Sequence, residues 1–274
     1  MVITASDVNK LRQQTGAGMM DCKKALEEAN GDFEQAVDNL RKKGQKVAAN
    51  RQDRDAKEGM VIARVSADGK HGSVVVINCE TDFVAINADF GTFANTISQI
   101  SIDKKPTSIE AFNTLPYNND VTVGDKFIEQ IGKIGEKIQL SYYETVDAAN
   151  IFAYNHPGNK LACIVGFTKV VSEEVGKNIA MQIAAMGPVA VDKDDVDTKT
   201  LERELDIARE QIRAEGKAED MVEKIAQGKL NKFYKESTLL NQEFIKDNKL
   251  SIKQYLQSID KDLTVTAFKR YQLS

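Results

Sequence analysis

Tryptophan is absent from this 274-residue chain, histidine occurs twice, cysteine three times and proline four times. Each shortage excludes something. Cys22, Cys79 and Cys163 are odd in number and far apart, with no C-x-x-C, so a disulfide framework is not expected. Small buried thiols in a reducing compartment are, and the cytoplasm is the expected location. There is no H-E-x-x-H, paired C-x-x-C or EF-hand loop, so no metal site is expected. Neither G-x-x-x-x-G-K-[S/T] nor a G-x-G-x-x-G after a strand occurs, so the chain is expected to hold no nucleotide and no cofactor of its own. "IGKIGEK" is rich in Gly and Lys but falls in a helical pattern and reads as surface helix. No nucleophile elbow is visible. His71 falls in a predicted hairpin turn and is expected to be solvated. His156 precedes Pro157 at another turn, where structural and functional readings are evenly weighted.

Charge of one sign is also lacking. Basic residues number 37 against 41 acidic, a net charge of −4, which leaves no excess to neutralise a phosphate backbone. Direct nucleic-acid binding is therefore not expected. No apolar run approaches the roughly 20 residues that cross a bilayer. The opening "MVITASDVNK" has neither a basic region followed by an apolar stretch nor Arg-rich transit character, so no leader is expected.

What is present is periodic. "TASD" reads as a capping box, Thr4 before Asp7, with Val8 and Leu11 following at helical spacing. A second helix carries Met19, Cys22, Leu26 and Ala29 on one face. Asp32 caps a third, with Phe33, Ala36, Val37 and Leu40 at helical intervals. Residues 1–43 are thus expected to form a three-helix module, and the charged residues 44–58 a helical linker. From residue 59 the period changes to that of strands. "GMVIARVSADGKHGSVVVINC" reads as a hairpin about Asp68-Gly69, and Phe90, Phe93, Ala94, Ile97 and Ile100 mark the helix beyond it. "IFAYNHPGNKLACIVGFTKV" and "SEEVGKNIAMQIAAM" repeat the β-β-α plan.

The expected fold class is therefore α+β. Core subdomain 1 spans 59–140, and core subdomain 2 spans 141–196 and 237–274. The charged amphipathic helices of 197–236 read as a protruding antiparallel hairpin, and "LTVTAFKRYQLS" as a closing strand. The stretch "NCETDFVAINADF" puts a carboxylate beside an aromatic ring just after a buried strand. By position alone, Asp82 reads as a turn or cap residue and Phe83 as core.

At "LRQQTGAGMMDCKKALEEANGD" the chain resembles bacterial elongation factor Ts. "NCETDFVA", "YNHPGNK" and "GKLNKFYKESTLLNQEFIKD" match later signatures of that family in the same order, so the resemblance spans essentially the whole chain. It implies a guanine nucleotide exchange factor for elongation factor Tu, the GTPase that delivers aminoacyl-tRNA, and not a catalyst of covalent chemistry. It also implies a ubiquitin-associated-like N-terminal module, two similar core subdomains and a helical hairpin. For the site it implies that Thr81, Asp82, Phe83 and Val84 push between two helices of the GTPase and disturb its Mg²⁺ site. By the same resemblance, Arg12, Met19, Met20, His156 and Gly158 touch the partner elsewhere. Met19 also fits the core stripe of its helix, whereas Met20 lies off it. Asn159 stands where the family more usually has Gly. Gln182 stands where many relatives have His, so no role of that histidine transfers. Two rival readings are an adaptor whose N-terminal module binds ubiquitin or nascent chains, and a small-molecule enzyme with a cleft between the subdomains.

Overall fold

The computed structural model describes residues 2–274. Helix α1 (Ala5–Thr15) opens on the Thr4–Asp7 capping box and closes on Gly16 in the left-handed region. It is followed by α2 (Met19–Glu28) and α3 (Phe33–Arg51), the latter capped by Asp32. Val8 and Leu11, with Cys22, Ala25, Leu26 and Ala29, and Ala36 of α3, form a small shared core. Helix α3 does not stop where that core ends. It runs unbroken through Gly44 to Arg51, so the boundary expected at residue 43 falls inside a helix. Glycine is a helix breaker only where nothing else holds the turn, and here α3 lies on a neighbour.

Strands β1 (Glu58–Val65) and β2 (His71–Cys79) form the hairpin expected about Asp68-Gly69, in antiparallel register with Val65 opposite Gly72. A very short helix, α4 (Asp82–Ala85), follows directly. Next come α5 (Ala88–Lys104), α6 (Ile109–Thr114) and α7 (Val123–Ile134). Strand β3 (Gln139–Asp147) then returns antiparallel to β2, giving sheet order β1-β2-β3. The boundary expected between 140 and 141 therefore cuts β3, which belongs with the first sheet. Its side chains are mostly half-buried and show no clean alternation, so its pairing partner, not its pattern, makes it a strand.

The second sheet comprises β4 (Asn150–Asn155), β5 (Leu161–Phe167) and, after a long excursion, the closing strand. That excursion contains α8 (Glu173–Met186), α9 (Thr198–Ala214) and α10 (Glu219–Ser237). It continues with a small ribbon of β6 (Glu243–Phe244) and β7 (Asp247–Ser251), then α11 (Ile252–Ile259) and β8 (Val265–Gln272).

Period-two alternation decides the layering. Val61, Ala63, Val74 and Val76 point from the first sheet towards Ile151, Ala162 and Ile164 of the second, so the sheets pack face to face. The alternate residues Met60, Ile62, Val75 and Ile77 point outward onto Phe90, Phe93 and Ile97 of α5 and Phe127 and Ile131 of α7. On the far side, Cys163, Val165 and Phe167 meet Val175, Ile179 and Ile183 of α8. The order is helices, sheet, sheet, helices. It explains why every residue of the central strands β2 and β5 is buried: both faces of each are covered.

Helices α9 and α10 pair antiparallel around Ala208, Ile212, Val222 and Ala226. Ion pairs Arg209–Glu223, Arg213–Glu219 and Lys229–Glu215 cross between them. They are largely solvated, each worth at most about 1 kcal/mol, so the apolar seam holds the pair. No helix among the described residues is long and apolar enough to cross a membrane.

The outward face of β1 is an edge, and unpaired edge groups need partners. Asn155 supplies them from the end of β4. Its Oδ1 accepts the Ala63 amide at 2.8 Å and its Nδ2 donates to the Ala63 carbonyl at 2.9 Å. Beside it the Asn159 carbonyl accepts the Val61 amide at 2.7 Å. Asn159 reaches that position with φ of 55°, next to Gly158 at 88°. Asn is among the few side chains that adopt the left-handed region readily, so replacing a Gly here leaves the turn intact.

Candidate functional site

Where β2 ends, the chain turns sharply into α4. Val84 and Ala85 pack onto the core beneath. Phe83 is 78% exposed and Ile86, one turn on, is 81% exposed. Residues three apart share a helix face, so this ring and this branched aliphatic chain stand together in solvent. Asp82, also exposed, makes no ion pair or side-chain hydrogen bond among the described residues. The positional expectation that Phe83 is core fails because α4 is too short to have two buried faces, and Val84 and Ala85 take the inner one.

The root of this turn is held tightly. The Glu136 carboxylate accepts the amides of Glu80 and Thr81 at 3.1 and 3.0 Å and the Thr81 hydroxyl at 2.7 Å. The Glu80 carboxylate accepts the Lys137 amide at 2.7 Å and the Arg51 guanidinium at 2.9 and 3.0 Å. Burial alone pushes the Glu80 carboxyl up, but the Lys137 amide and Arg51 outweigh it and hold the group below its ordinary value of 4.5. The Cys79 thiol lies beneath, donating to the Thr81 carbonyl at 3.2 Å. Burial, with Glu136 and Glu58 adding to it, raises that thiol to about 12, so it stays protonated and unreactive.

The other expected contact residues are scattered over α1, α2 and the turn between β4 and β5. Arg12 is exposed near the end of α1. Met20 is 73% exposed and Met19 is 57% exposed, both in the first turn of α2. Met19 thus departs from the stripe that buries Cys22, Leu26 and Ala29. Helical side chains lean towards the N-terminus, so a first-turn residue projects past the packed seam. His156 is exposed, its Nδ1 3.0 Å from the Tyr154 hydroxyl, and Gly158 lies in the same exposed turn.

His71 corrects an expectation. It is 3% exposed, not solvated, and its Nδ1 lies 2.8 Å from Asp147 Oδ1. It is the first residue of β2 and faces Asp147 across the β2–β3 ladder, a strand the hairpin reading did not include. Gln182 is fully buried. Its Nε2 donates to Gln242 Oε1 and the Glu243 carbonyl, both at 3.1 Å, and its Oε1 accepts the Ile245 amide at 3.0 Å, so it ties α8 to the β6 region. Among the described residues no group of His, Cys, Asp and Glu has the arrangement of a metal site.

Ile86, Glu80, Glu136 and Arg51 were not singled out by sequence. Ile86 carried a signal, since it lies at i+3 from Phe83. The other three carried none: 29 and 56 residues separate Arg51 from Glu80 and Glu80 from Glu136.

Fold and site together define an α+β protein that holds an apolar pair, Phe83 and Ile86, out to solvent on a turn fixed at its root. A family model described as "Elongation factor TS" matches residues 80–274. An elongation factor Ts of Cytophaga hutchinsonii is 53% identical over 275 residues, 99% of each chain. One of Amoebophilus asiaticus is 52% identical over 98% of each, and one of Porphyromonas gingivalis is 48% identical over 100% of this chain and 99% of its own. The chain belongs to the elongation factor Ts family, whose members are factors of translation elongation.

Proposed function

We propose that this chain is a guanine nucleotide exchange factor for elongation factor Tu in the cytoplasm, and that Phe83 is the wedge. The observation that carries the proposal is a phenylalanine 78% exposed on a clamped turn. Leaving such a ring in water forgoes about 1.5–3 kcal/mol of burial, and a partner's core recovers it. Thr81, Asp82 and Val84 complete the wedge: Thr81 anchors its root, Val84 seats its inner face, and Asp82 is free to meet polar groups of the invaded helices.

The physical logic follows from the partner's ion. Mg²⁺ requires near-ideal octahedral geometry, so a small displacement of its ligands weakens nucleotide binding strongly. Accelerating release 10³-fold takes about 4 kcal/mol from the barrier, more than one ring supplies, so a broad interface must press the wedge home. The exposure of Arg12, Met19 and Met20 in the N-terminal module, read as ubiquitin-associated-like, is consistent with that interface. So is the exposed turn of His156 and Gly158 on the second subdomain. By linkage, whatever this chain does to GDP affinity GDP does to its own. No covalent step is involved.

The test mixes the chain with elongation factor Tu preloaded with fluorescent GDP and an excess of unlabelled GDP. Release is expected to accelerate with factor concentration and to saturate. Unaccelerated release, or binding that is indifferent to GDP, contradicts the proposal. Ubiquitin binding by residues 1–51 with no acceleration favours the adaptor reading instead.

A further inference from the structure

Four residues make a helix too short to persist alone, and α4 lacks the usual help: Thr81, its N-cap, makes no side-chain bond to the helix amides. The Thr81 hydroxyl is turned to Glu136 instead. Four hydrogen bonds join residues 80 and 81 to residues 136 and 137: three into the Glu136 carboxylate and one from the Lys137 amide into Glu80. Each segment thus offers the other backbone N–H and a carboxylate. The clamp then reaches further. Arg51, the last residue of α3, grips the Glu80 carboxylate with one nitrogen, and Lys137 Nζ donates to the Gln52 and Arg54 carbonyls at 2.7 and 3.0 Å. The root of the Phe83 turn is therefore fixed to the helix that begins in the N-terminal module.

Resting on the exchange reading above, we infer that Glu136 and Glu80 are positioning residues for Phe83, with Arg51 coupling them to α3. A ring on a mobile segment pays the cost of ordering that segment as it enters its partner. The clamp removes this cost beforehand and fixes the angle at which the ring is presented. It acts on the displacement step more than on encounter, because the rest of the interface is untouched by it. A carboxylate is well matched to this role. Ionised, it accepts three donors at once, and charge-assisted bonds are the stronger kind.

The test compares wild type, Glu136→Ala, Glu136→Gln and Phe83→Ala for accelerated release of fluorescent GDP across factor concentrations. It also measures amide hydrogen exchange in the free chain. Glu136→Ala is expected to lower the maximal rate about tenfold while shifting the half-saturating concentration less than about threefold, the signature of lost preorganisation. Exchange at residues 81–85 should rise about tenfold with β2 unchanged, and Glu136→Gln should recover part of the rate. A wild-type maximal rate for Glu136→Ala overturns the inference, whatever exchange does. If Phe83→Ala alone is slow, the exchange reading stands and the clamp falls by itself. If both variants match wild type, the wedge reading falls too. Should Glu136→Ala melt below the assay temperature, Thr81→Val removes only the hydroxyl bond in a side chain of the same shape. A loss of about threefold in maximal rate then supports the clamp, and a wild-type rate overturns it.

Discussion

Replacing Gly44 by Ala should weaken the protein, against the usual rule. In an exposed helix interior the change is worth about 1 kcal/mol of stability, because Gly has more backbone freedom to lose. Gly44 sits where α3 crosses α7. A Cβ there would lie 2.9 Å from the Ile128 carbonyl oxygen and 3.3 Å from its Cγ2, and one on Gly132 would lie 3.0 Å from the Gly44 Cα. The obstacle is backbone, not the tip of a flexible side chain, so the helices must move apart, and overpacking of this kind costs about 1–3 kcal/mol. The clash outweighs the propensity, leaving a net loss of about 1 kcal/mol. Gly228 in α10 is the control, since a Cβ there meets nothing within 4 Å. Far-UV circular dichroism melts should show Gly44→Ala unfolding about 2–4 °C below wild type and Gly228→Ala a similar amount above it. A Gly44→Ala protein that melts as high as Gly228→Ala refutes the claim that the α3–α7 crossing is closed to a methyl group.

Two further outcomes follow from named bonds. Asn155→Ala leaves both backbone groups of Ala63 without their partner and should cost about 2 kcal/mol in urea unfolding. Asn155→Asp should be at least as damaging at neutral pH, because an oxygen replaces the donor to the Ala63 carbonyl; an Asn155→Asp protein as stable as wild type refutes the bidentate reading. The Glu80 carboxyl is held below 4.5 in the folded chain. Its stabilising contribution is therefore complete above that unfolded value and is lost as pH falls through the lower folded one. Melts between pH 6 and 3 should show a smaller acid-side loss for Arg51→Met than for wild type, and parallel losses contradict the linkage.

Local chemistry was legible in the sequence and remote pairing was not. The Thr4 and Asp32 caps, the Asp68-Gly69 turn and the apolar stripe of α5 each depend on residues within one or two turns, and each forms where its pattern lies. Strand β3 carries no such pattern because its identity comes from β2, more than sixty positions away in register, and His71 reads as solvated for the same reason. Gly44 suggests an end to α3, but contact with α7 carries that helix onward. At the candidate site, the motif around Phe83 was readable. What holds the motif was not, because Glu136 and Arg51 are ordinary charged residues until the fold brings them to Glu80 and Thr81.

The central claim is that Phe83 is presented to a GTPase and loosens its nucleotide. The most direct measurement is the maximal rate of GDP release from elongation factor Tu at saturating factor, for wild type and Phe83→Ala, each with Mg²⁺ and with the ion chelated. Phe83→Ala should fold normally, since an exposed position shifts stability by no more than about 0.5 kcal/mol. With Mg²⁺ present it should be slower than wild type by at least about tenfold, and chelation should close most of the gap. A variant as fast as wild type with Mg²⁺ in place contradicts the account.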